Sequence, residues 1–200
     1  EGVDEFKKKG CDGIIAIGGG SALDVGKAIG FMSAQKRPIW DFEDVGDYWK
    51  RAIVDKIPPI IAIPTTAGTG SECQSYAVIS RDQSHEKMAC GDPSALATYA
   101  ILDPDLTASM PHRVAVLTAL DALAHSLETA VSTRRNSFSS AYSREAFLHL
   151  SVAIEPVLKG EASASERNAM LMGSAFAGLA IENSMLGAAH ASANPLTASC

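Results

Sequence analysis

What this sequence lacks narrows its role before any motif is read. Its four cysteines, Cys11, Cys73, Cys90 and Cys200, lie far apart with no C-x-x-C spacing. Neither a zinc ribbon nor a disulfide frame is indicated, and free thiols suit a reducing, cytoplasmic compartment. There is no excess of basic charge: 17 Lys and Arg stand against 23 Asp and Glu, a net of -6. A polyanion needs a basic face, so nucleic acid is excluded as the main partner. No run approaches the ~18 consecutive apolar residues of a membrane span, and no charged stretch leading into an apolar one opens the chain. Neither a membrane nor secretion is therefore expected. Internal repeats and low-complexity tracts are absent, the Lys7–Lys9 run reads as a solvated helix face, and no G-x-G-x-x-G marks a standard dinucleotide turn.

What is present alternates. EGVDEFKKKGCDG reads as a helix closing at Gly10 or Gly13, with Val3 and Phe6 inward. The Ile-rich run in CDGIIAIGGG suits a buried parallel strand, and SALDVGKAIGFMSA has helical apolar spacing at Leu23, Val25, Ala28, Ile29 and Met32. A second buried strand, Ile60–Ile63, enters the small-residue loop TTAGTGSE. PIWDFEDVGDYWK between them reads as a surface loop and short turn, and YAVISRD and YAILDPD (99–105) as further strands. From Pro111 onward the pattern is helix after helix: 111–131, about 138–158, about 163–181 and 185–193. The expectation is an α/β part over residues 1–106 and a helical part over 107–200.

Two loops and one helix carry the chemistry. GGGSALD lets the backbone approach a ligand and points helix-start amides at an anion; Ser21 can cap that helix or donate to a phosphate, and Asp24 falls in its first turn, where a carboxylate helps the dipole. A tight strand-to-helix turn without a ligand is the plain alternative. PTTAGTGSE offers hydroxyls and amides to a diphosphate or a nicotinamide edge. Two such loops, each after a buried strand, favour a dinucleotide across the carboxyl ends of the sheet. In DALAHSLE, Asp121 and His125 are four apart and share a helix face, a donor pair that suits Fe²⁺ or Zn²⁺. His190 sits among small residues that leave room for an ion or a substrate, although a core histidine is the commoner reading. His85, His112 and His149 read as surface residues. Glu128 is either an acceptor behind an imidazole or a solvated helix residue, the second being favoured on sequence alone.

Taken together, GGGSALDVGKAI, IPTTAGTGSE, LDPDLTASMP, DALAHSLE and NSMLGAAHASANPL resemble the iron-containing (group III) alcohol dehydrogenase family, in the family's order and over essentially the whole chain. The resemblance implies an α/β dinucleotide-binding domain followed by an all-helical domain (the dehydroquinate synthase-like, iron-type alcohol dehydrogenase fold), with the active site between them. It places the metal on Asp121, His125 and His190. It places NAD or NADP on Gly18, Gly19, Gly20, Ser21 and Asp24, on Thr65, Thr66 and Thr69, and on Lys87 and Leu106. Where the family often carries a second histidine in its third-ligand motif, this chain has Asn194, a position near the substrate rather than on the metal. The family's fourth ligand, a histidine, falls beyond NPLTASC, and its cofactor-selecting strand falls before Glu1, so a piece of a longer polypeptide is expected.

The implied reaction is reversible hydride transfer between a small alcohol and the nicotinamide of NAD(P), with Fe²⁺, or alternatively Zn²⁺, as Lewis acid on the alcohol oxygen. A homodimer or larger assembly is implied for the full-length protein. Two other readings stay open: a zinc polyol dehydrogenase or dehydroquinate synthase relative, and a catalytically inert nucleotide-binding fragment.

Overall fold

The computed structural model describes residues 1–46, 48–82, 84 and 86–199, without the side chains of 194 and 197–199. Helix α1 (Gly2–Lys9) ends at Gly10, whose φ of 64° gives the left-handed cap that glycine adopts freely. Strand β1 (Ile14–Gly18) then pairs in parallel with β2 (Ile60–Pro64), and β2 with the short β5 (Tyr99–Ala100). Helix α2 (Gly20–Ala34) covers one face of this sheet, where Leu23 packs on Ala16 and Ala62.

The Ile-rich strand is not buried on both faces, as its composition led one to expect. Ile15 is 65% and Ile17 57% exposed, with Tyr99 at 65% on the neighbouring strand. No described residue covers that face, so the apolar run alternates in burial like a one-sided strand. The expected strand over 99–105 stops after Ala100, because Asp103 caps a 3₁₀ turn at Pro104–Thr107 and Pro104 has no N–H for a ladder. An unforeseen antiparallel pair joins β3 (Tyr76–Ser80) to β4 (Lys87–Gly91). The aromatic segment between β1 and β2, expected as a surface loop with a short turn, forms two 3₁₀ turns, and its Phe42 is buried rather than on the surface, edge-on against Phe31 at 4.9 Å.

The helical part follows its caps. Helix α4 (Ser137–Lys159) begins at an Asn136–Ser139 capping box and ends at the left-handed Gly160; α5 (Ala164–Ser184) begins at a Ser163–Glu166 box. The buried stripe of α4 (Ala146, Leu150, Ala153, Val157) meets α5 and α3 (His112–Val131) through Met170, Leu171, Ala119 and Ala122. Small residues on these faces let the helices approach closely. Leu150 is fully buried, and truncating such a residue costs about 2–5 kcal/mol. By length and composition α3 is long and apolar enough to cross a membrane, although its apolar residues do not form one consecutive run. Asp121, His125 and Glu128 interrupt its apolar surface, and Ala119 and Ala122 are fully packed. Helix α6 (Ala188–Ser199) starts three residues later than expected.

The two parts meet at Gly70. Its φ is 62°, and a side chain there would lie 2.7 Å from the Gly178 Cα on α5, so two glycines let backbone touch backbone.

Candidate active site

The first loop forms because β1 ends in three glycines and α2 begins at once. Gly19 is the N-cap and makes no side-chain bond; Ser21 is exposed and does not cap the helix, the first of the two roles expected of it. The helix starts two residues earlier than a Ser21 cap would have set it, which carries Asp24 out of the first turn. Asp24 instead pairs with Lys27 at 3.0 Å and accepts from Ser71 Oγ at 2.5 Å and Val78 N at 3.0 Å. Lys27, 1% exposed, donates to the carbonyls of Ser71, Gln74 and Tyr76 at 2.7–3.0 Å. Burial pulls its pKa down, while Asp24 opposes the fall. This clamp ties α2 to the segment after the threonine loop, and the sequence reading missed Lys27 altogether.

The threonine loop lies directly against the glycine turn. Thr65 N donates to the Gly18 carbonyl at 2.9 Å; a Cβ on Gly20 would fall 2.6 Å from Thr69, and one on Gly19 3.4 Å from Thr66. Gly18, Gly19, Gly20, Thr65, Thr66 and Thr69 thus form one continuous surface at the carboxyl ends of β1 and β2. Leu106 is 39% exposed in the 3₁₀ turn after β5. Lys87 opens β4, exposed, and its charge helps hold down the Asp121 carboxyl.

The residues expected to hold a metal do converge. One ligand atom from each of Asp121, His125 and His190 lies within 4.8 Å of the others. His125 Nε2 is 3.4 Å and His190 Nε2 3.3 Å from the same Asp121 Oδ1, and the two rings stack at 4.6 Å. Behind each ring stands an acceptor. His125 Nδ1–H donates to the Gly68 carbonyl of the threonine loop at 3.2 Å. His190 Nδ1–H donates to Glu128 Oε2 at 2.5 Å, while Glu128 Oε1 accepts from Ala189 N at the start of α6. Glu128 is buried, so its favoured reading as a solvated residue was wrong: a carboxylate one turn below His125 faces the helix start that carries His190.

That arrangement fits a divalent cation. With each Nδ1 committed to an acceptor, a neutral ring presents the Nε2 lone pair. Each Nε2 and the Asp121 oxygen repel unless a proton or a divalent cation lies between them. Burial pulls the pKa of His125 down, keeping it neutral as a ligand must be. The Asp121 hydrogen bond pushes His190 up, and burial opposes it. Burial works to raise the Asp121 carboxyl, but His190 and His125 hold it below its usual value.

The other histidines divide. His112 is exposed, with Nε2 3.1 Å from the Leu158 carbonyl, whereas His149 is half-buried and stacks on Phe176 at 5.6 Å, not a plain surface residue. His85, Cys200 and the Asn194 side chain lie outside the described residues. The turn that delivers His190 contains Met185 at φ 60° and ψ 178°, a conformation that otherwise belongs to glycine.

Known proteins resemble this chain throughout. The profile of the iron-containing alcohol dehydrogenase family matches residues 1–104, and the C-terminal profile of the same family matches residues 115–200. A choline dehydrogenase of Bacillus subtilis is 35% identical over 98% of this chain and 48% of its own length. An NAD-dependent methanol dehydrogenase of Bacillus methanolicus is 35% identical over 95% of this chain and 49% of its own. Among solved structures, a sulfoacetaldehyde reductase from Bifidobacterium kashiwanohense in complex with NAD+ superposes with a TM-score of 0.87 at 30% identity, covering 98% of this chain and 51% of that one. The chain spans about half the length of the relatives it matches.

Proposed function

Because the chain belongs to the iron-containing alcohol dehydrogenase family, we propose that it carries the cofactor surface and three metal ligands of an oxidoreductase interconverting a small alcohol and its aldehyde or ketone with NAD or NADP. The observation behind this reading is the convergence of Asp121, His125 and His190 next to the threonine loop. Asp121 Oδ1 and the two Nε2 atoms are the donors, and the set suits Fe²⁺ or Zn²⁺. A divalent ion held there supplies Lewis acidity, lowering the pKa of an alcohol oxygen beside it. Gly68 and Glu128 fix the two imidazoles in the tautomer that ligation needs. The glycine turn at Gly18–Gly20 receives the dinucleotide's diphosphate on its backbone amides, and Thr65, Thr66 and Thr69 orient its nicotinamide end. Lys87 and Leu106 border the same cofactor, and Asn194 lies toward the substrate. Ser21 is free to donate to a phosphate, since it caps nothing; Asp24 serves the cofactor only indirectly, through the clamp that positions the loop.

On this reading residues 1–106 are the nucleotide part and 107–200 the metal part of a cytoplasmic enzyme that acts as a homodimer or larger assembly when full length. Cys11, Cys73 and Cys90 are free thiols, as that compartment favours. The test is metal analysis of this chain after incubation with Fe²⁺ or Zn²⁺, together with NADH fluorescence. About one ion per chain, lost in Asp121→Ala while NADH still binds, is the expected result. A chain that takes up no metal at saturating concentration overturns the proposal.

A further inference from the structure

A cavity of about 160 Å³ lies away from the metal ligands, where the amino ends of α3 and α5 meet the carboxyl end of α4. Its walls are mostly apolar: Ala67, Met110, Ala115, Val157 and Met170. Into this lining comes one permanent cation. Arg167 donates Nη1 to the Ala162 carbonyl at 3.1 Å, its Nε is buried without a hydrogen-bond partner, and no carboxylate among the described residues pairs with it. His112, also on the wall, has Nε2 directed to the Leu158 carbonyl and supplies no negative charge.

A half-buried guanidinium on the cavity wall with no counter-ion beside it favours an anion, and a planar carboxylate matches its fork. The apolar walls ask for a hydrocarbon body as well. The volume sets its size, since a dry apolar cavity of about 150 Å³ accommodates a six-carbon ring. We propose that this cavity is a binding site for a short-chain aliphatic monocarboxylate of about four to six carbons, paired with Arg167 and with its chain against Met110 and Met170. The wall at Ala67 gives the site an outlet. Ala67 stands between Thr66, which packs on Gly19, and Gly68, whose carbonyl holds His125. A ligand pressing on Ala67 therefore bears on both the glycine turn and a metal ligand.

The inference does not depend on the catalytic reading, and its test uses neither metal nor nucleotide. Butyrate is titrated into the 200-residue chain by calorimetry, with butan-1-ol and inorganic phosphate as controls. Saturable binding of one butyrate per chain is expected, with both controls at least tenfold weaker. Intermolecular NOEs should connect the butyrate methyl to the Met110 and Met170 methyl groups. Arg167→Met should weaken butyrate at least tenfold. Ala108→Phe, at the exposed rim of the cavity, should block it with the circular dichroism unchanged, which keeps the test alive if Arg167→Met fails to fold. Absence of saturable binding, phosphate or butanol binding as well as butyrate, undiminished affinity in a folded Arg167→Met chain or in Ala108→Phe, or NOEs to other methionines alone would each overturn the proposal.

Discussion

Two charged clusters stand at the join of the two parts, and they are built on opposite principles. In the α/β part Lys27 spends its donors on three carbonyls and a carboxylate, and Asp24 is matched in turn by Ser71 and Val78. Nothing in that network asks for a further atom. In the helical part Asp121 meets two imidazole nitrogens whose far sides are already engaged, so three potential ligand atoms converge on one place. The contrast separates architecture from chemistry: a saturated cluster holds elements together, and a convergent, unsaturated one holds a ligand.

The contrast can be broken by substitution, starting with the clamp. Lys27→Met leaves Asp24 without its cation and three carbonyls without a donor, and should lower the unfolding free energy by about 4 kcal/mol, read by urea denaturation. A loss below about 1 kcal/mol would remove the clamp from the architecture. Glu72, next to that network, comes second. Burial pushes its carboxyl up to about 7 from an ordinary 4.5. Between those values the unfolded chain releases the proton first, so stability falls as pH rises across that window and levels off above it. Glu72→Gln should flatten this slope and gain roughly 2–3 kcal/mol at pH 8; an unchanged slope would refute the assignment.

Turning to the convergent cluster, Glu128→Ala should weaken metal binding about 10–100-fold, by freeing the His190 ring, while the fold persists. Metal titration followed by near-ultraviolet circular dichroism reads both effects. If affinity is unaltered, Glu128 is a packing residue only. Smallest of all is Ser21→Ala. A helix cap would lose ~1 kcal/mol, yet the structure gives Ser21 no such bond, so the melting temperature should stay within about 2 °C.

These contrasts also explain what could be read from the sequence. Helices α3 to α5 were legible because their apolar periodicity is local, and Asp121 with His125 because four residues of helix put them on one face. The two loops were legible from their glycines and threonines. Asp24 was misassigned because its partner Ser71 lies 47 residues away. Glu128 was misjudged because its acceptor role depends on α6, 62 residues on, and on the Met185 turn that brings α6 back. Strand β4 went unseen because KMACG is short and its ladder partner is only the neighbouring β3, with a single further bridge from Cys90 to Glu43. The exposure of Ile15 and Ile17 could not be foreseen, since an apolar strand reads alike whether one face or both are covered.

The Gly68 carbonyl that steadies His125 belongs to the same few residues that pack on the glycine turn. An occupant that displaces this loop by a fraction of an ångström changes the direction in which the imidazole can offer its lone pair. Around the closed thermodynamic cycle, whatever factor a nucleotide imposes on the affinity for the ion, the ion must return in equal measure to the nucleotide.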